Sequence, residues 1–73
     1  MAEITVRSEL NAIVWKIEVT VGATTGEGDI LIILESMKME IPVTAPCTGA
    51  VKAILVAAGD QVAEGQPLMI LQS

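Results

Sequence analysis

Hydrophobic and polar positions alternate along much of this chain with a period of two, the spacing of a half-buried strand. Ile13, Trp15, Ile17, Val19 and Val21 alternate with Lys16, Glu18 and Thr20. This pattern predicts a strand with Trp15 on its apolar side, where packing is its expected role. Ile4 and Val6 alternate likewise, as do Met39, Ile41 and Val43. Ile30–Leu34 is a short, continuous apolar run and predicts a buried strand. Val51–Val56 alternates poorly, which predicts a strand buried on both faces. Gly22, Gly26 and Gly28 punctuate the first half of the chain, and Gly59 and Gly65 the second. Pro42 has no N–H to give a ladder, so its strand is expected at a sheet edge or unpaired there. No stretch of helical length shows a 3.6-residue period.

The pattern occurs twice. Shifted by 37 residues, positions 3–36 align with 40–73 without a gap, and 13 of the 34 positions are identical. The matches include Glu3/Glu40, Val14/Val51, Gly22/Gly59, Gly28/Gly65, Leu31/Leu68 and Leu34/Leu71. Two halves with glycines in register indicate one structural unit used twice. Two copies are too few for a solenoid, so face-to-face packing about a pseudo-twofold axis is expected. Only Met37, Lys38 and Met39 separate the copies. The predicted architecture is a small all-β sandwich or flattened barrel, with about four short strands per half.

Composition narrows the functions open to such a fold. With 73 residues, a single domain over 1–73 is expected. Apolar residues make up 52%, but only Trp15 is aromatic, so the core must be aliphatic. No histidine is present, which removes Ser–His and Cys–His catalysis and histidine metal sites. Four basic residues against nine acidic ones give a net charge of −5. That balance argues against nucleic acid, where affinity comes largely from phosphate neutralisation. The longest apolar run, Ala53–Ala58, is far short of the about 20 residues of a membrane helix. Glu3 and Arg7 interrupt the start of the chain, so no secretory signal is expected. A lone Cys47 fits a reducing cytoplasm, and nothing near it in sequence activates the thiol. Asp29, Asp60 and the scattered glutamates lack a metal-ligand spacing and are expected to be solvated.

The junction between the repeats carries the candidate chemistry. Ile30–Glu35 and Met39–Val43 are close enough to pair as a hairpin around Met37 and Lys38. Ser36 would then face Met39, Leu34 would face Ile41 and Ile32 would face Val43, apolar against apolar. The same register sets Glu35 against Glu40, a mildly unfavourable like-charge pair. Two-residue hairpins favour primed turns, which need positive φ and select Asn, Asp or Gly. Met-Lys is a poor local choice, and a local rule broken at one place points to a functional constraint. Methionines on both sides of a lysine at a loop tip, where burial is difficult, suit a contact surface.

Glu35-Ser36-Met37-Lys38-Met39-Glu40 resembles the attachment motif of the biotinyl domain family, the biotin carboxyl carrier proteins. The resemblance covers nearly the whole chain, including Ala45-Pro46, Gly49, Val51, Gly59-Asp60 and Glu64-Gly65. It is nearest to the short, free-standing carriers, with no room for the thumb insertion of some acetyl-CoA carboxylase carriers. It implies a barrel-sandwich hybrid of two four-stranded sheets, with Lys38 on an exposed hairpin. It also implies that biotin is joined covalently to Lys38 by a biotin protein ligase. The carrier then takes carboxylate from a biotin carboxylase to a carboxyltransferase, with no catalysis of its own. Met37 and Met39, with Glu35, Ser36 and Glu40, would be recognition residues for the ligase or the carboxylase partners. A monomer is expected from the acidic surface.

Departures from the family pattern fall on turns. Ala12 stands where Gly is common, although its repeat mate is Gly49; Ala23 stands where the second half has Asp60; and Ser36 replaces a frequent Ala. Two other readings remain open. A lipoyl-type acyl carrier shares the fold and a hairpin lysine, but its lysine usually has Asp before it and Ala after it. An unmodified β binding module accounts for the repeat but leaves the Met-Lys-Met tip without a reason.

Overall fold

The structure, a computed structural model, describes residues 2–73. It contains eight strands: β1 (Glu3–Arg7), β2 (Ala12–Ile17), β3 (Thr24–Thr25), β4 (Ile30–Ser36), β5 (Met39–Thr44), β6 (Gly49–Ile54), β7 (Gln61–Val62) and β8 (Pro67–Gln72). They form two four-stranded sheets, ordered β1-β8-β6-β3 and β5-β4-β2-β7, and every pairing is antiparallel. The 37-residue shift carries β1, β8, β6 and β3 onto β5, β4, β2 and β7 in that order. The pseudo-twofold axis is therefore realised. The halves do not each build a sheet, however: every sheet takes two strands from each half, so the copies interlock.

The core lies between the sheets and is itself paired by the repeat. Val14/Val51, Leu31/Leu68, Ile32/Met69, Leu34/Leu71 and Ser8/Ala45 are all buried, and each pair is 37 residues apart. Ser8 is the polar member and is satisfied: its hydroxyl donates to the Leu10 carbonyl at 2.6 Å. The second buried polar residue, Thr25, donates to the Gly49 carbonyl at 3.3 Å, joining β3 to β6. Pro42 sits on edge strand β5, where its missing N–H costs no ladder bond.

Bulges decide which side chains face inward, and they correct three expectations from the pattern. On β2, Val14 is paired with Leu34 and Lys16 with Ile33, leaving Trp15 as the extra residue of a bulge. Val14 is only 1% exposed, whereas Trp15 is 49% and Ile13 42% exposed. Trp15 thus lies on the outer face, not on the packed side of its strand. The equivalent bulge in β6 falls at Lys52, between Val51 opposite Leu71 and Ala53 opposite Ile70. Lys52 is exposed, so β6 is not buried on both faces. A second pair of bulges, at Leu31 in β4 and Leu68 in β8, turns two successive residues inward: Leu31-Ile32 and Leu68-Met69. Ile30, before the first of these, is exposed and does not share in the buried run.

Four turns close on glycine. Ala23 N–H donates to Thr20 O at 3.1 Å, with Gly22 at φ 93°. The matching bond in the second half runs from Asp60 N–H to Ala57 O at 3.0 Å, with Gly59 at φ 94°. Asp60 also accepts a 2.9 Å bond from Ala57 N–H. Ala23 has no side chain to do this, yet its turn keeps the same geometry. The departure from Asp thus removes one hydrogen bond and leaves the turn intact.

Candidate functional site: the hairpin between β4 and β5

The strands pair as the hydrophobic pattern requires. Ile32 stands opposite Val43, Leu34 opposite Ile41, Glu35 opposite Glu40 and Ser36 opposite Met39. Leu34 is fully buried, which anchors the hairpin stem in the core. Only Met37 and Lys38 remain to cross between the strands, and a two-residue link matches strand twist only as a primed turn. Both residues accordingly have positive φ, 52° for Met37 and 64° for Lys38. They are the chain's non-glycine residues in this region among those described. Left-handed backbone costs an L-residue about 1–2 kcal/mol, so the tip is held against local preference by the register beneath it.

The turn puts its side chains into solvent. Met37 is 92% and Met39 62% exposed; Lys38, Glu35 and Glu40 are exposed too, and Ser36 is partly buried. Met39 is therefore not an inward residue of its strand, an alternative that its alternation with Ile41 and Val43 allowed. Among the described residues, Lys38 makes no salt bridge; the ion pairs are Lys16–Glu18 and Lys52–Glu3. Its amine is a free primary amine on a projecting tip. It is thus accessible to an acylating enzyme, and the tip is a place from which a covalently attached group could swing without displacing core. A shallow cleft runs from Met37 down the side of the hairpin between Ile13, Glu35 and Gln61.

Every residue anticipated at the site lies on this hairpin, and the backbone brings Glu35 to Met39 and Glu40 into one contiguous tip. Cys47 stands apart, partly buried in the loop between β5 and β6. Asp29 and Asp60 accept hydrogen bonds from Gly26 N–H and Ala57 N–H and close turns. Among the described residues no three metal-ligating side chains gather, and no helix is long and apolar enough to cross a membrane. The exposure of Trp15 runs against the alternation pattern. The repeat contained the signal: its mate is Lys52, and one fold position that takes a lysine in one half is not a core position.

A small β domain that interlocks two copies of one unit and presents a lysine on the intervening turn has the build of a prosthetic-group attachment domain. The chain belongs to the biotin/lipoyl family described as "Biotin-requiring enzyme", which matches residues 2–71. It is 44% identical over 66 residues to a biotinylated protein TB7.3 homolog of Mycobacterium leprae, covering 90% of this chain and 93% of that one. It is 41% identical to a biotin/lipoyl attachment protein of Bacillus subtilis, covering 94% of both. Among solved structures it superposes on Kluyveromyces lactis urea carboxylase with a TM-score of 0.92 at 33% identity, covering 99% of this chain and 6% of that enzyme. A single-chain, multi-domain long-chain acyl-CoA carboxylase gives a TM-score of 0.90 at 30% identity, with 97% and 7% covered. The chain thus spans nearly all of the two short relatives and under a tenth of the two carboxylases.

Proposed function

We propose that residues 1–73 form a single biotinyl domain that acts as a carboxyl carrier, with biotin held in amide linkage to Lys38. The observation that carries this reading is the tip itself: an unpaired lysine at positive φ between two exposed methionines, in a biotin-requiring family. When bound, biotin supplies a ureido nitrogen that can carry carboxylate.

The chain's own part is to present, tether and release. Acylation takes the neutral amine, and an ammonium must lose a proton before it can attack. The chain has no histidine to take that proton. A biotin protein ligase therefore supplies both an activated acyl group and the base. The ligase's base takes one proton from the Lys38 ammonium, Nζ forms the amide bond as the activating group leaves, and the second proton displaced from Nζ also goes to the ligase. One positive charge is lost, taking the net charge from −5 to −6. Met37 and Met39, with Glu35, Ser36 and Glu40 around them, are the contact residues of the tip. After modification the tether keeps biotin at a high effective concentration near a biotin carboxylase and then a carboxyltransferase. The domain performs no catalysis itself and works as a monomer in the cytoplasm.

The test is intact mass and a streptavidin blot of the chain made with its native ligase, beside Lys38→Arg. The expected result is one biotinyl group, mapped to Lys38 and missing from the variant, since guanidinium keeps the charge but is not acylated. A lipoyl mass at Lys38 would move the protein to acyl transfer. An unmodified lysine, where a known carrier is fully labelled, would leave a plain β binding module.

A further inference from the structure

The pseudo-twofold axis provides an internal control for the outer faces of the two sheets. On the Lys38-bearing sheet, Ile13 and Trp15 of β2, Ile33 of β4 and Pro42 of β5 lie on the outer face across three neighbouring strands, with the exposed, Glu18-paired Lys16 opposite Ile33. The same positions of the other sheet hold Ala50, Lys52, Ile70 and Thr5. There Lys52 pairs with Glu3, and apart from Ile70, the match of Ile33, the positions are small or polar. Identical backbone positions therefore carry a large apolar band on one sheet only, which rules out a demand of the fold as its cause. The other exposed aliphatics, Val21, Ile30 and Leu55, sit singly at a turn and at strand ends.

The band is continuous with the tip: Ile13 stands opposite Glu35, and Ile13, Glu35 and Met37 line one cleft. Glu35 and Glu40 border it with negative charge. Resting on the carrier reading, we propose that this face docks the enzyme that acylates Lys38. The fitting partner surface is an apolar recess for the Trp15 indole, edged by Lys or Arg side chains opposite Glu35 and Glu40. Geometry selects the acylating enzyme over later partners. Before modification the amine reaches no farther than its own side chain, so that enzyme must cover the hairpin and what adjoins it. After modification the added arm lets a partner reach the cofactor without covering the sheet. Interface hot spots are enriched in Trp, Tyr and Arg seated in desolvated pockets.

Trp15 is the chain's one aromatic residue, which gives a direct readout. The experiment measures biotin transfer by the purified native ligase to the unaltered chain, to Trp15→Lys (the residue its repeat mate carries) and to Thr5→Lys on the opposite face. Unaltered folding of each is checked by thermal unfolding. The expected result is a rise in KM of about tenfold for Trp15→Lys with kcat retained, and no change for Thr5→Lys. A 5-fluorotryptophan-labelled chain should show its single fluorine resonance shift on titration with the ligase. Equal KM values for all three chains, or a fluorine resonance that does not move, would overturn the docking face while leaving the carrier reading in place. No transfer even to the unaltered chain would remove both. A dimer of the unaltered chain that Trp15→Lys dissociates would reassign the face to self-association and overturn the proposal.

Discussion

Glu35 and Glu40 face each other directly across the hairpin, one pair below its turn, and both are exposed. The equivalent pair in the other sheet is Gln72 opposite Glu3, where the like charge has been relieved. Directly opposed like charges destabilise a ladder, and exposed pairs are worth about 0.2–1 kcal/mol. Glu35→Gln copies the relieved half. It should stabilise the domain by a few tenths of a kcal/mol at low salt, with the gain shrinking as salt screens the pair. Urea denaturation at low and high ionic strength measures this. A variant that is less stable at low salt would show that Glu35 makes a favourable contact outweighing the repulsion.

The turn residues Met37 and Lys38 are a second place where stability is given up. Both hold φ near +60°, a conformation that Asn and Gly adopt readily and Met and Lys do not. Met37→Asn with Lys38→Gly should raise stability by about 1–3 kcal/mol. At this size about 1 kcal/mol moves Tm by roughly 4–8 °C. The same variant has no amine at position 38, so on the carrier reading stability and modification part company at these two positions. Calorimetry on the unmodified proteins decides it; an unchanged Tm would mean that the tip relaxes out of the primed turn in solution.

Gly49 opens β6 at a close backbone approach. A Cβ there would come within 2.8 Å of the Gln72 carbonyl oxygen, and a backbone atom cannot yield as a flexible side chain can. Its repeat mate is Ala12, so the same site in the other half accepts a methyl group. Gly49→Ala should destabilise by about 1–3 kcal/mol, the usual range for overpacking, whereas Ala12→Gly should cost no more than about 1 kcal/mol through backbone entropy. The two, measured by denaturant unfolding, report whether the halves differ in spacing. Equal costs would mean that the β6–β8 approach is no tighter than its mate.

The hairpin is legible in the sequence because several independent features mark it. The repeat set the junction at 37–39, apolar matching fixed Leu34 opposite Ile41, and the missing donor of Pro42 left only an edge or an unpaired position for its strand. All of these are local or two-strand arguments. The sheets themselves draw strands from both halves, and no local pattern encodes that exchange. Bulges were equally hidden. One extra residue at Trp15 reverses the parity of β2, so Ile13 and Trp15 turn outward while Val14 and, beyond the bulge, Ile17 pack against the core, although Trp15 and Ile17 flank a lysine as if they shared one face. A period-two reading assumes an unbroken ladder and fails wherever a bulge interrupts it. Comparing the halves residue by residue exposes the error, because Lys52 cannot share a core site with Trp15.

Leu34 and Leu71 test how far the pseudo-symmetry extends to energetics. Each is fully buried on a central strand. Leu34 stands between Val14 and Ile41, and Leu71 between the corresponding Val51 and Ile4. Truncating a buried leucine to alanine costs about 2–5 kcal/mol, the spread reflecting how well the site collapses. Equivalent neighbours imply equivalent collapse, so Leu34→Ala and Leu71→Ala should agree within about 1 kcal/mol. A domain of this size has a total stability of only about 4–11 kcal/mol, so the double variant should be largely unfolded at 25 °C. Leu34→Ala also loosens the stem of the Lys38 hairpin, which Leu71→Ala does not touch. Under conditions where both single variants remain folded, ligase transfer should fall further for Leu34→Ala. Equal transfer at equal stability would show that the ligase reads the tip without its buried anchor.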